Sequence, residues 1–122
     1  MSTLKADTIQ NTSGGAATLT KQSAAKAWVN FDGTGTIAAR DSFNVSSLDD
    51  DGTGNYGVNF SSSFSDGNYS ATSTTSGGGA VCVPYDDYTQ TASTYTIGVR
   101  RIDTTAMFDA SRIHYGMNGD LA

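Results

Sequence analysis

Alternation of apolar and polar residues with a period of two is the feature that most limits what this chain can fold into. Tyr56, Val58 and Phe60 alternate with Asn55, Gly57 and Asn59. Tyr95, Ile97 and Val99 alternate with Thr96, Gly98 and Arg100. Ile113, Tyr115 and Met117 alternate with Arg112, His114 and Gly116, and Ser42-Phe43-Asn44-Val45 repeats the pattern over a shorter run. Successive side chains of a strand point to opposite faces, so each run reads as a strand with one buried and one wet face. Ala80-Val81-Cys82-Val83 is a short, wholly apolar strand that stops at Pro84. Proline cannot donate to a β-ladder and belongs at a strand end or an edge.

Turn-forming clusters separate these runs: Asp49-Asp50-Asp51-Gly52-Thr53-Gly54, Asp66-Gly67-Asn68, Ser76-Gly77-Gly78-Gly79 and Asn118-Gly119-Asp120. Glycine supplies positive φ in such places, and Asp and Asn bond back to nearby backbone. Short strands spaced about 8–12 residues apart predict an all-β fold, an antiparallel β-sandwich that is jelly-roll-like or a small barrel. The predicted core is Phe43, Val45, Tyr56, Val58, Phe60, Ile97, Val99, Ile113 and Tyr115. Only Lys21-Gln22-Ser23-Ala24-Ala25-Lys26-Ala27 leans towards helix, and its β-rich flanks make an extended form equally compatible.

The first 26 residues differ from the rest. Their large apolar residues are Leu4, Ile9 and Leu19, too few to close a core. The chain therefore divides into an extended N-terminal attachment arm, 1–26, and a β-sandwich domain, 27–122. Leu4 and Ile9 are expected to contact a neighbouring chain or scaffold, with the arm added as a strand to another sheet edge. Trp28 and Phe31, in Ala27-Trp28-Val29-Asn30-Phe31, are expected to anchor the junction and an oligomer interface.

Composition narrows the partners. The net charge of −5 opposes phosphate backbones and anionic membranes. Roughly a quarter of the chain is Ser or Thr, which gives a surface of short, neutral side chains. Met1 to Asp7 has no apolar stretch of the signal-peptide kind. No apolar run approaches the roughly 18 residues of a membrane span. The chain is thus expected to be made in a cytoplasm and to reach an outer surface by assembly. The sequons at Asn11, Asn44, Asn59 and Asn68 read as chance matches in a Ser/Thr-rich chain.

Candidate chemistry is sparse. Glu is absent, and His114 and Cys82 are the only residues of their kinds. His114 falls opposite Ile113 and Tyr115 in the alternation and should face solvent or a subunit boundary. Cys82, between Val81 and Val83, reads as a small buried hydrophobe. The loop Asp49 to Asn55 offers calcium the hard oxygens it prefers but lacks the EF-hand order, and also reads as a tight, solvated connection. Asp86-Asp87 is a weaker version of the same. Arg100 and Arg101 should point to opposite faces of a strand. Tyr85 and Tyr88 flank the acidic pair and are the candidate glycan contacts, because their rings can stack on pyranose faces. No catalytic or metal residues are assigned, no cofactor is expected, and no enzyme activity is expected.

Several stretches resemble a known group. Ser2 to Asn11 is similar to the opening of small virion proteins of marine bacteriophages. Ala25-Lys26-Ala27-Trp28-Val29-Asn30-Phe31-Asp32-Gly33-Thr34-Gly35 resembles a segment of their fibre-like and tail-associated proteins. Ile37 to Ser47, Gly54 to Phe60 and the ending Gly119-Asp120-Leu121-Ala122 continue the likeness, while 61–112 matches in pattern only. The resemblance implies a β-rich structural subunit, often trimeric, on the virion surface, with no catalytic motif to transfer. The expected function is a virion fibre or decoration subunit that binds its own copies and a capsid or tail scaffold. The alternative is a receptor-binding knob that reads a host surface glycan.

Overall fold

The structure is a computed structural model that describes residues 6, 8–15, 25–77, 79–83 and 89–122. Eight strands follow in order: β1 (Ala27–Asp32), β2 (Ala38–Phe43), β3 (Val45–Asp50), β4 (Asn55–Phe60), β5 (Ser70–Thr75), β6 (Ala80–Val83), β7 (Thr94–Arg101) and β8 (Ile113–Asn118). They form two four-stranded antiparallel sheets, ordered β2-β1-β8-β5 and β3-β4-β7-β6. The sheets pack face to face as a β-sandwich, the predicted fold class.

The alternation places the core. Tyr56, Val58 and Phe60 of β4, Tyr95, Ile97 and Val99 of β7, and Ile113, Tyr115 and Met117 of β8 are all buried between the sheets. From β1, Ala27, Val29 and Phe31 join them. The Phe31 ring meets Tyr56 edge-on at 5.3 Å and stacks on Tyr115 at 6.0 Å. Phe31, expected at the arm junction, is thus a core residue. Phe64 and Tyr69 are buried as well, with rings stacked 4.3 Å apart under Phe60. They lie in the connection between β4 and β5, where no alternation marks them.

Phe43 departs from the expected core. It is 53% exposed, and Val45 is only half-buried. The reason is Asn44, whose φ of 57° is left-handed. A single strand cannot continue through that conformation. The predicted run Ser42 to Val45 therefore breaks there. Phe43 ends an edge strand of one sheet and Val45 begins an edge strand of the other.

Asn44 suits this corner because its side chain ties three segments together. Its Oδ1 accepts the Ser62 N–H at 2.7 Å, and its Nδ2 reaches the Lys26 and Ser62 carbonyls, each at 3.0 Å. Asparagine also tolerates the left-handed region better than most residues. Replacing it with alanine keeps the strained φ and removes all three bonds. Asn44→Ala is expected to cost about 2–3 kcal/mol, read as a lower urea midpoint at unchanged m-value. Asn44→Gly, which relieves the φ, should recover part of that loss.

The described part of the N-terminal arm contains a reversal. The Asn11 N–H donates to the Gly15 carbonyl, the Gly14 N–H donates to the Asn11 carbonyl, and Asn11 Oδ1 accepts the Ser13 and Gly15 amides. The arm turns at 11–15 instead of running extended throughout. Further on, the Lys26 N–H donates to the Met117 carbonyl at 2.7 Å and joins the chain to the sandwich at β8.

The strand directions give the sandwich two unlike ends. Ala27 pairs with Met117 and Ser70 with Asn118, so the arm arrives where the C-terminus leaves. The Ala122 N–H donates to the Ser63 carbonyl and the Ser65 N–H to the Asp120 carbonyl, holding the C-terminal residues at that end. The connections after β1, β3, β5 and β7 gather at the opposite end, where Gly33 N–H bonds Ala110 O and Ile102 N–H bonds Gly79 O.

Candidate functional site

The solvent face of the β2-β1-β8-β5 sheet carries side chains aligned in rows by the pairing of its strands. In antiparallel sheets, residues directly opposite one another share a face. Trp28 lies between the fully buried Ala27 and Val29, so it points outward. Its partners are Phe43 on β2 and Gly116 on β8, and Gly116 is in turn opposite Thr72 on β5. One row across the sheet therefore reads Phe43, Trp28, Gly116, Thr72. The next row reads Asp41, Asn30, His114, Thr74 by the same pairing. An aromatic pair thus lies beside a row of polar groups.

Gly116 shapes this face. It leaves the floor of a hollow of about 250 Å³, walled by Thr72, Thr74 and His114. A Cβ at Gly116 would meet only Thr72 Oγ1, at 3.5 Å, an ordinary contact. The backbone here does not demand glycine, and the missing side chain is what keeps the hollow open. Asn30 Oδ1, in the polar row, is buried with no hydrogen-bond partner. Such an acceptor has lost its water without compensation.

The other candidates are dispersed. Ile9 is 50% exposed. Leu4, Tyr85 and Tyr88 lie outside the described residues, as do Pro84, Asp86 and Asp87. Trp28 and Phe31, adjacent in purpose by sequence, face opposite ways, Trp28 outward and Phe31 into the core. In the acidic loop, Asp49 Oδ2 accepts the Asn59 side-chain amide at 2.7 Å, and Asp50 Oδ1 accepts the Gly52 N–H. Among the described residues no three His, Cys, Asp or Glu side chains converge in a metal-holding group.

Asp109 is a structural carboxylate. It accepts the Gly54 N–H at 2.6 Å and the Tyr56 hydroxyl at 2.8 Å. Burial first, and the Asp109 carboxylate second, push the Tyr56 hydroxyl far above its ordinary pKa, so it stays a donor. Asp32 is held below the usual carboxylate range, chiefly by the Thr34 hydroxyl and amide, with Arg40 at 2.7 Å adding to it. Cys82 is half-buried on β6, and burial raises its thiol pKa. The Arg101 guanidinium lies 4.2 Å over the Phe108 ring, while Arg100 Nε is buried.

A second hollow, of about 230 Å³, opens on the flank where β2 and β3 are the sheet edges. Ile37, Val45 and Leu48 lie in it, half-buried against the core. Both edges carry a register shift, at Asn30/Phe31 against β2 and at Val45/Ser47 in β3. Bulges of this kind bend an edge away from strand pairing.

Sequence reasoning did not find the outer face as a site. Its parts come from four strands scattered between residues 28 and 116, joined only by pairing register. The chain matches no family model, no curated protein and no solved structure.

Proposed function

We propose that this chain is a non-enzymatic structural subunit of a bacteriophage virion surface, held by its N-terminal arm and displaying its β-sandwich outward. The observation that carries the reading is the polarity of the sandwich. The arm joins at one end beside the C-terminus, and four inter-strand connections occupy the other. A module tethered at one end presents its sheet faces and far loops to the surroundings. The likeness of residues 2–11 and 25–35 to marine phage virion proteins supports the virion as that setting.

The disposition of reactive groups fits the non-enzymatic reading. Cys82 is on the β3-β4-β7-β6 sheet, and its thiol is disfavoured as a thiolate by burial. His114 is on the solvent face of the other sheet. The thiol of Cys82 and the imidazole of His114 therefore stand on different layers, so they do not form the Cys–His pair of a thiol nucleophile, which needs hydrogen-bond reach. The reading assigns association of copies, three by the resemblance, to the β2–β3 flank. There Ile37, Val45 and Leu48 would gain burial.

Deleting Met1 to Gln10 tests the tether. The truncated protein is expected to keep the circular dichroism of the full chain and to be missing from purified particles. Incorporation at normal occupancy would overturn the arm as the attachment element.

A further inference from the structure

We infer that the solvent face of the β2-β1-β8-β5 sheet is a binding site for a neutral hexopyranose glycan, centred on Trp28 and Gly116. The inference goes beyond the tethered-subunit reading and does not depend on where the protein is mounted. It concerns residues other than Tyr85 and Tyr88, which sequence alone suggested for sugar contact.

Three observations meet on this face. First, two large aromatic side chains stand opposite each other on adjacent strands, with Phe43 53% exposed. A half-exposed ring at the end of an edge strand gives up burial unless something covers it. Pyranose rings present a C–H face that packs on aromatic carbon while their hydroxyls remain at the rim. Second, the adjoining row supplies matching polar groups. Asp41 accepts hydrogen bonds, and His114 and Asn30 can each donate and accept. Sugar hydroxyls also do both, so one ring edge can satisfy a mixed row of this kind. Asn30 Oδ1, unpartnered in the structure, needs only rotation about a soft terminal torsion to meet a hydroxyl. Third, Gly116 keeps a hollow of about 250 Å³ next to the aromatic row, a volume suited to a single sugar ring.

Charge selects among sugars. Asp41 sits in the polar row and the chain carries a net charge of −5. Sialylated, sulfated or phosphorylated glycans would meet like charge there. A protein partner is less well matched, because it would have to desolvate Asp41 and His114 with a geometry as dense in hydroxyls as a sugar edge.

The test uses the whole 122-residue chain, in which Trp28 is the only tryptophan. Its fluorescence reports directly on the proposed platform. Maltohexaose, cellohexaose, chitohexaose and mannohexaose are titrated separately. A saturable change in emission with at least one of them is expected, with Kd in the range from about 10 μM to a few mM for so small a contact. Phe43→Ala should weaken that binding at least about tenfold. Gly116→Ala should abolish it by placing a methyl group on the floor of the hollow. Its Cβ has room, so its thermal unfolding should match the parent. His114→Ala is the second surface variant, should Phe43→Ala prove unstable. No emission change with any of the four at about 10 mM would overturn the inference. So would binding that Gly116→Ala leaves intact. Incorporation into particles is scored separately, so failure of this site and failure of the tether give different results.

Discussion

Gly54→Ala should be the most damaging single-methyl change in this protein, lowering stability by about 4 kcal/mol or preventing folding. Gly54 is buried with φ of +66°. A Cβ there would lie 2.7 Å from the Phe108 amide nitrogen and closer still to the Val99 carbonyl oxygen. Both are backbone atoms held by the ladder. The Val99 N–H donates to the Gly54 carbonyl, and the Phe108 N–H donates to the Val99 carbonyl. The Gly54 N–H is also fixed by Asp109 at 2.6 Å. The methyl group cannot be accommodated by a rotamer change, so the loop must leave its place. Left-handed φ adds about 1–2 kcal/mol for an L-residue. Gly35→Ala is the matched control. Its φ is +64° and nothing lies within 4 Å of its Cβ, so it carries the conformational cost alone. Thermal unfolding of the pair separates the terms. A Gly54→Ala midpoint no lower than that of Gly35→Ala would show that the close approach does not constrain the fold.

Phe31→Ala and Trp28→Ala should differ widely although both remove a large aromatic from the same strand. Phe31 has no exposed surface and packs on Tyr56 and Tyr115, so its truncation leaves a cavity between the sheets. A loss of about 3–5 kcal/mol is expected, a large share of a stability that is typically about 5–15 kcal/mol. Trp28 is half-buried on the wet face, and its loss should cost about 1 kcal/mol or less. Urea denaturation followed by far-UV circular dichroism reads both variants without relying on tryptophan emission. Equal losses would mean that the face assignment of β1 is wrong. Trp28 would then be part of the core, and the outer face would lose the platform on which the glycan inference rests.

The period of two in β4, β7 and β8 determined the class of fold and the inward residues of those strands. Tyr56, Val58, Ile97, Val99, Ile113 and Tyr115 were all legible as core, because side-chain direction in a strand depends only on local backbone geometry. The wet orientation of His114 followed from the same rule. Local geometry could not show that Asn44 turns a corner. A polar residue in an alternating run looks like any outward position, and its left-handed φ is fixed by partners at Lys26 and Ser62, each 18 residues away in sequence. Phe43 was misplaced for that reason. Phe64 and Tyr69 escaped because they fill the open end of the core from a loop, where no period applies. The outer face depended entirely on tertiary structure. Whether Phe43, Trp28, Gly116 and Thr72 form one row depends on which strands pair and in what register. That is set by the closing of the whole sandwich, and a register change of one residue would scatter the row.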